Sequence, residues 1–319
     1  MESMEELKGK NILVTGGAGF IGSHLVLELI KNGAKVYVID IEIKPKSFFA
    51  LNNLSDKTLF KILDIRNKEK VFKYFNKFNF DYIFHLAAAP IVREAFDDPY
   101  STLETNIMGT VNILEVAKKN KKIKGIIAAS SDKAYGKTDK TYTEESALRG
   151  DHPYDVSKSS MDLICQAYFK TYGLPIVITR FGNVYGEGDL YFNRIIPGIC
   201  KAVVKKEKLL IRSDGTFIRD YLYVKDVVSG YMFLLKNLEK VKGEAFNFSS
   251  NDNLSVLALI NKAEKILGKK INYKILNITK NEIPYQHLND RKIRKLGWSS
   301  GYDLNNSLPL TFNWYKNLL

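Results

Sequence analysis

Short apolar runs alternate with helical patterns of apolar residues through the first half of the chain. Six of these runs have the length and the Ile, Val, Leu, Tyr and Phe content of strands, and the first has the pattern of a buried strand. They are residues 11–15, 35–40, 59–64, 82–86, 125–130 and 175–180. Because helical patterns separate most of them, the sequence predicts an α/β fold with a doubly wound parallel sheet, the Rossmann arrangement.

The pattern becomes irregular beyond about Arg180. It predicts mainly loops there, with shorter helices near residues 224–238 and 256–267. A smaller C-terminal α/β lobe that holds a substrate is the natural interpretation of this change.

A glycine-rich segment follows the first predicted strand. Gly16, Gly19 and Gly22 have the spacing Gly-x-x-Gly-x-x-Gly, and Phe20 and Ile21 lie between the last two. Glycines here let the chain turn sharply and let a pyrophosphate approach the backbone, while the next helix offers free N–H groups. A strand before and a helix after are the context that a dinucleotide site requires.

Acidic residues end the next two strands. Asp40 can accept hydrogen bonds from both adenosine ribose hydroxyls, and it would repel a 2′-phosphate, so we predict NAD rather than NADP. Asp64 and Ile65 close the third strand, where we expect contact with adenine; a plain turn is the alternative for Asp64. We therefore predict an NAD-binding Rossmann domain at residues 1–180, with some later segments returning to it, and mainly a substrate lobe at 181–319.

A candidate catalytic group follows the fifth strand. Tyr154 and Lys158 are four residues apart, so they share one helix face, and Ser131 lies just upstream. A tyrosine, with an ordinary pKa of about 10, becomes a usable base when a neighbouring ammonium and a nicotinamide cation favour its phenolate. This group suits the oxidation of a hydroxyl to a carbonyl. Asp132 and Lys133 are two further ionisable groups that a simple oxidation does not need.

Charge and composition limit the partners. The formal charge is +13, but the lysine clusters at 118–122 and 205–206 fall at expected helix ends and lack aromatic partners. We therefore predict an anionic small-molecule substrate rather than a nucleic acid. The sequence contains no run of about 18 apolar residues, so no membrane span is predicted.

Location and metal content follow from a few residues. Residues Met1–Glu6 are acidic and lack an apolar segment, which argues against a secretory signal. Cys165 and Cys200 cannot make a disulfide framework, so we predict a cytoplasmic protein, with Cys165 in the core. Neither cysteine has metal-ligand spacing, and no metal site is predicted.

Taken with these residues, the chain resembles the extended short-chain dehydrogenases/reductases, in the nucleotide-sugar epimerase and dehydratase group. The similarity spans nearly the whole chain and includes residues 85–90, 106–110, 180–186, 219–226 and 296–298. The resemblance implies that Leu86, Ala87, Ala88 and Asn106 line the NAD site. It also implies that Asn183, Arg194 and Arg219 contact a substrate diphosphate, for which the arginine fork is suited.

The resemblance further implies a homodimer. Its interface would be a four-helix bundle formed by the Tyr154 helix and a helix near residues 102–118 of each subunit. Both helices have apolar positions to spare.

The residues after Ser131 distinguish the members of this group. Ordinary 4-epimerases carry small or apolar residues there, and the dehydratases related to the dTDP-glucose enzyme carry Asp-Glu. The Ser-Asp-Lys sequence resembles CDP-glucose 4,6-dehydratases, as do residues 89–93, 186–189 and 193–197. The implied function is an NAD-dependent nucleotide-hexose 4,6-dehydratase, with an NAD-dependent 4-epimerase as the alternative. A non-enzymatic NAD- or nucleotide-sensing protein is disfavoured by the intact catalytic group.

The implied reaction has three steps. Tyr154 takes the C4 hydroxyl proton as NAD accepts the C4 hydride, water leaves across C5 and C6, and hydride returns to C6. Asp132 is the candidate acid for the leaving hydroxide, and Lys133 the candidate C5 base or enolate stabiliser. The structural alternative is that Asp132 caps the following turn while Lys133 pairs with it or faces solvent. The substrate's nucleobase and hexose are not predicted.

Overall fold

A computed structural model describes residues 7–278 and 283–319. The acidic N-terminal segment used above to argue against a signal, Met1–Glu6, lies outside the described residues. Within the described part, no helix combines the length and the apolar character needed to cross a membrane.

The chain divides into two compact units, each built from separated stretches. The first unit comprises Met1–Gly136, Glu145–Arg180 and Val228–Phe246, and the second comprises Lys137–Glu144, Phe181–Val227 and Asn247–Leu319.

Strands and helices alternate along most of the chain. The strands are β1 (Asn11–Thr15), β2 (Lys35–Asp40), β3 (Leu59–Ile62), β4 (Tyr82–His85), β5 (Gly125–Ala129), β6 (Ile176–Phe181), β7 (Asn183–Tyr185), β8 (Leu209–Ile211), β9 (Ile218–Tyr223), β10 (Ala245–Phe248), β11 (Asn253–Ser255) and β12 (Tyr273–Ile275). The helices are α1 (Phe20–Lys31), α2 (Phe48–Leu51), α3 (Lys68–Phe75), α4 (Val92–Asp97), α5 (Pro99–Leu103), α6 (Thr110–Lys119), α7 (Pro153–Tyr172), α8 (Ile195–Lys205), α9 (Val224–Lys236), α10 (Leu238–Val241), α11 (Val256–Leu267), α12 (Arg291–Lys295) and α13 (Leu304–Leu318).

A seven-stranded sheet in the order β10-β6-β5-β4-β1-β2-β3 forms the centre of the first unit. Neighbouring strands from β6 to β3 pair in parallel. The strand order reverses direction at β1, which confirms the predicted doubly wound Rossmann fold and places a ligand crevice at the carboxyl ends of β1 and β4. All six predicted strands are confirmed to within two residues at each end.

One hydrophobic core holds helices α3, α6 and α7 against this sheet. Its fully buried members include Leu13, Val71, Ile113, Ile126 and Cys165, so the core position predicted for Cys165 is confirmed. Burying each aliphatic side chain contributes about 1.5–3 kcal/mol. The ends of β1, β4, β5 and α7 are thereby fixed relative to one another.

The second unit contains two small sheets. In one, β9 pairs antiparallel with β11 and parallel with β7; in the other, β8 pairs parallel with β12. The helices predicted near residues 224–238 and 256–267 are confirmed as α9 and α11, although α9 belongs to the first unit from Val228 onward.

The prediction of mainly loops after residue 180 was wrong at α8 and α13, both of which contain proline. Pro197 lies in the first turn of α8, where backbone N–H groups have no helical partner to lose. Pro309 lies inside α13, where buried Leu304, Leu308 and Phe312 hold the helix in place despite it.

The helix predicted near residues 102–118 is confirmed, but it is not α-helical throughout. The structure has α5, then a π-helical segment at Glu104–Gly109, then α6. Such wide turns are rare and occur frequently at functional sites. This one carries Asn106.

Candidate active site

The glycine segment forms a tight connection from β1 to α1. Gly16 has a φ of +69°, and a Cβ there would lie 2.7 Å from the backbone nitrogen of Ala87. A Cβ on Gly22 would lie 2.2 Å from the Gly16 carbonyl oxygen. These two positions therefore need glycine for the fold itself.

Gly19 differs from its neighbours because the protein leaves space above it. Among the described residues, a Cβ at Gly19 would meet only the Gly16 oxygen, at 3.2 Å. Gly19 immediately precedes α1, whose first N–H groups, including those of Phe20 and Ile21, have no partner within the helix. An open backbone beside free N–H groups fits a pyrophosphate.

Asp40 lies at the end of β2 and faces the same loop. Its carboxylate accepts hydrogen bonds from the N–H groups of Ala18 at 2.9 Å and Ile41 at 2.8 Å. Burial raises the pKa of the Asp40 carboxyl, and these hydrogen bonds oppose the shift. The position suits a carboxylate that binds the ribose of a dinucleotide, so the loop and Asp40 together fit NAD.

Asp64 is engaged by a neighbouring arginine. Arg66 donates to both oxygens of Asp64, the shortest contact being 2.6 Å, and also approaches Glu104 at 3.4 Å. These residues line a cavity of about 480 Å³. Ile65 is buried, and its carbonyl accepts a hydrogen bond from Asn112 of α6 at 2.9 Å. Asp64 thus forms an ion pair with Arg66 within the turn after β3. Its contact with adenine stays a prediction.

The segment after β4 packs against the glycine loop. Leu86 and Ala88 flank Ala87, whose N–H donates to Thr15 Oγ1 at 3.2 Å. Asn106 accepts from the Ala89 N–H at 2.7 Å. Its amide nitrogen donates to the Ala89 carbonyl at 3.2 Å and to Ser157 Oγ at 2.8 Å. Asn106 therefore joins the segment after β4 to α7, and its predicted cofactor contact is untested.

His85 occupies the centre of a buried polar chain. One ring nitrogen lies 2.8 Å from Thr15 Oγ1 and the other 3.0 Å from Thr110 Oγ1. Burial, with a smaller contribution from the Lys158 charge, lowers the pKa of His85 to about 3. The imidazole is therefore neutral at physiological pH and serves as a hydrogen-bonding support.

Tyr154 and Lys158 both lie in the buried first half of α7. The Lys158 ammonium donates to the Ala129 carbonyl at the end of β5, at 2.9 Å. Burial lowers the pKa of Lys158 to about 8, so its charge is poised near neutral pH. The carbonyl of Tyr154 accepts a hydrogen bond from Ser157 Oγ at 2.7 Å. The tyrosine–lysine pair is thus fixed from two sides.

The three residues Ser131, Asp132 and Lys133 form the start of a 3₁₀ turn, Asp132–Tyr135. Ser131 Oγ caps this turn by accepting from the Lys133 N–H at 3.2 Å, and it donates to Asp132 Oδ1 at 2.9 Å. Asp132 is only 4% exposed, whereas Lys133 is half-buried. The structural alternative given above assigned the cap to Asp132; that assignment was wrong, because the serine makes it.

The turn is attached to α7 by groups that the sequence did not reveal. Ser159 Oγ, one residue beyond Lys158, donates to the Ala134 carbonyl at 2.7 Å. Arg180 contacts both Tyr135 and Asp162 of α7. The only sequence signal for these ties was the occurrence of Arg180 in a segment typical of the family. Side-chain partners so far apart in sequence become visible only in the fold.

The three residues predicted to contact phosphate all lie in the second unit. Asn183 of β7 is in register with Tyr221 of β9, and Arg219 lies two residues earlier on β9. Arg219 donates to the Ile218 carbonyl at 2.8 Å. Arg194, at the start of α8, pairs with buried Asp189 at 3.0 Å. Two of the three are thus on adjacent strands, and their predicted substrate contacts are untested.

Metal ligands are not grouped in the part of the chain that the structure describes. No cluster of three or more His, Cys, Asp or Glu side chains at residues 7–278 and 283–319 could hold a metal ion.

Comparison with known proteins places the chain in a class. The profile of the NAD-dependent epimerase/dehydratase family matches residues 12–249. The chain belongs to this family of enzymes, and NAD is its cofactor.

The similar proteins within this class catalyse different reactions. The chain is 31% identical over 329 residues to the CDP-glucose 4,6-dehydratase of Salmonella typhimurium, covering 97% of this chain and 91% of that one. It is 32% identical over 321 residues to a trifunctional UDP-glucose 4,6-dehydratase, 3,5-epimerase and reductase of Arabidopsis thaliana. That match covers 97% of this chain but only 47% of the plant protein, so the chain spans about half its length.

A solved structure gives the epimerase side of the comparison. UDP-glucuronic acid 4-epimerase from Bacillus cereus, in complex with UDP-glucuronic acid and NAD, superposes with a TM-score of 0.88 at 30% identity. The match covers 97% of this chain and all of that chain. The chain is therefore an NAD-dependent enzyme with the same fold as this epimerase.

Proposed function

We propose that this enzyme is a nucleotide-hexose 4,6-dehydratase that resembles the CDP-glucose enzymes, with a 4-epimerase as the alternative. The observation that carries the proposal is the buried Asp132, followed by Lys133, on a turn tied to the helix of Tyr154 and Lys158. A 4-epimerase has no elimination step, so it would have no use for this additional acid and base.

Two pairs of residues would divide the chemistry. NAD, held by the glycine loop and Asp40, would supply the acceptor for the C4 hydride and the donor for its transfer to C6. Tyr154 would accept the C4 hydroxyl proton, with Lys158 and Ser131 stabilising the oxygen. The ketone acidifies C5–H, so Lys133 would remove that proton while Asp132 protonates the hydroxide that leaves C6. Lys133 would give the proton back to C5 when the hydride is returned to C6. Asp132 is buried, and Ser131 Oγ holds its carboxyl group in place with a hydrogen bond of 2.9 Å.

The substrate class is supported by charge. A nucleotide sugar carries a diphosphate, and Asn183, Arg194 and Arg219 are our proposed contacts for it. The formal charge of +13 also favours an anionic substrate. Two free, buried cysteines are consistent with the cytoplasmic location that we propose.

We further propose a homodimer through helices of the first unit. Several apolar side chains there are exposed: Tyr100 of α5 by 73%, Met108 of the π-helical segment by 51%, and Val156 and Leu163 of α7 by 38% and 51%. Val156 and Leu163 are seven residues apart and so share one helix face. A second copy of this chain would cover that face.

The reaction can be tested with a panel of nucleotide hexoses analysed by mass spectrometry. Loss of one water with no net NADH supports dehydration, whereas an unchanged mass with altered stereochemistry would establish epimerisation instead. The test also compares the CDP-, UDP-, GDP- and dTDP-sugars directly.

The Asp132→Asn variant tests the proposed acid. We expect it to block water loss while still allowing slow formation of enzyme-bound NADH, because Tyr154 and Lys158 are untouched. Asp139→Asn, at an exposed position outside this group, is the matched control and should behave as wild type. Normal dehydration by Asp132→Asn would show that Asp132 is not the acid.

A further inference from the structure

A buried guanidinium lies behind the catalytic turn. Arg180 at the end of β6 is 1% exposed and Asp162 of α7 is fully buried. Arg180 donates from Nε and Nη2 to the two oxygens of Asp162 at 2.8 and 2.9 Å. A bidentate pair of this kind fixes both partners in distance and in orientation. Asp162 is four residues beyond Lys158, so this contact anchors Arg180 to the catalytic helix.

The same guanidinium holds the turn that carries the elimination pair. Arg180 Nη1 donates to Tyr135 Oη at 2.7 Å, and the guanidinium carbon lies 4.9 Å from the centroid of the Tyr135 ring. Tyr135 is the last residue of the 3₁₀ turn that begins at Asp132. Arg180 therefore connects α7 to this turn through a polar contact and a ring contact.

Two further contacts hold the end of this turn. Ser159 Oγ of α7 donates to the Ala134 carbonyl at 2.7 Å. Gly136 has a φ of +72° and packs so closely on Arg149 that a Cβ would lie 1.8 Å from the Arg149 oxygen. These contacts act at residues 134–136, next to Asp132 and Lys133 in the sequence.

We propose that Tyr135 and Arg180 are positioning residues for elimination, an inference that rests on the proposed dehydratase function. The oxidation pair, Tyr154 and Lys158, is built into α7 itself. The elimination pair is on a separate turn, which the Arg180 link and the Ser159 hydrogen bond attach to α7. Loosening the link should displace Asp132 and Lys133 without moving Tyr154. A displacement of about 1 Å can cost about 100-fold in rate.

Tyr135→Phe is the substitution that tests this most directly. It removes the hydroxyl that binds Arg180 but leaves the ring and the Arg180–Asp162 ion pair in place. Replacing Arg180 itself would leave the buried Asp162 charge unpaired, and such a change is strongly destabilising. The phenylalanine variant should therefore fold, which circular dichroism and thermal melting can check.

The expected result is a separation of the two half-reactions. In single turnovers of the NAD-loaded enzyme, we expect Tyr135→Phe to slow water loss by about 10- to 100-fold. Formation of NADH, followed by nicotinamide absorbance, should change less than about threefold, because Tyr154 and Lys158 keep their contacts. Enzyme-bound NADH should then accumulate in the variant and not in wild type.

Two further variants make the test decisive. Tyr168→Phe removes another α7 tyrosine hydroxyl, one that donates to Glu115 at 2.7 Å, and should alter neither step. Ser159→Ala removes the second tie to the turn and should give the same imbalance as Tyr135→Phe, which also provides the test if Tyr135→Phe fails to fold. Equal loss in both steps, or no loss in either, would overturn the positioning role. Absence of water loss from wild type with every nucleotide hexose would instead overturn the proposed function.

Discussion

Three buried ionisable side chains of the first unit are stabilised in different ways. Arg180 is paired with Asp162, and the Lys158 ammonium donates to a backbone carbonyl. His85 instead stays neutral between two threonine hydroxyls. Burying an unpaired charge costs several kcal/mol, so the neutral state is the one compatible with its position.

His85 should make the stability of the protein depend on pH. Its pKa is about 3 when folded, against an ordinary value of 6.5, because of burial. Between these values the unfolded chain binds more protons than the folded one, so stability should fall as pH falls, by up to about 1.4 kcal/mol per pH unit. Urea unfolding of wild type at pH 7 and pH 5 would measure this.

The control for this prediction is His85→Gln. Glutamine can still hydrogen-bond but does not titrate, so the variant should lose some stability at pH 7 and show a shallower decline below it. Parallel declines in the two proteins would show that other groups cause the acid sensitivity.

Glycines of the glycine loop have two different roles, one in the fold and one in the proposed binding of NAD. Gly22→Ala would press a methyl group onto the Gly16 oxygen, and we expect it to destabilise the fold by about 1–3 kcal/mol. Gly19→Ala meets only one atom, at 3.2 Å, so stability should change by less than about 1 kcal/mol. NAD affinity should nevertheless fall about tenfold or more, because the methyl group occupies the pyrophosphate position.

Calorimetric titration with NAD and urea unfolding of both variants would check this pair of expectations. Wild-type NAD affinity in Gly19→Ala would contradict the assignment of Gly19 to the pyrophosphate.

At the scale of elements, local sequence patterns were sufficient to predict the strands of the central sheet but not all the helices of the second unit. The six strands are short segments rich in Ile, Val, Leu, Tyr and Phe, so each is visible within its own segment. The helices α8 and α13 carry Pro197 and Pro309, which indicate interruption unless the tertiary packing is known.

Some residues of the candidate site could likewise be predicted from local motifs, whereas others could not. Residues in short motifs, such as Gly19, Tyr154 and Lys158, could be named from spacing alone. The link from Tyr135 through Arg180 to Asp162 joins three separate segments, and no local pattern indicates it. The Ser131 cap was missed because serine and aspartate are both good capping residues, and sequence does not distinguish them.

At the scale of the molecule, the proposed dimer makes a direct prediction. Leu163 is 51% exposed on α7, so in a dimer Leu163→Glu would place a charge in the apolar interface. We expect the variant to sediment as a monomer in analytical ultracentrifugation and wild type as a dimer. Leu210→Glu, at a similarly exposed leucine in the second unit, should leave the mass unchanged. A monomeric wild type at micromolar concentration would exclude this assembly.

The last strand of the central sheet has a consequence for synthesis of the chain. Strand β10 covers the outer edge of β6, yet the ribosome makes it only after residues 182–244. Until then the nascent sheet presents β6 with an unpaired row of backbone groups, the kind of edge that pairs with other chains. Folding of the first unit therefore cannot be completed until much of the second unit has been translated. Chaperone protection would be most useful during that interval.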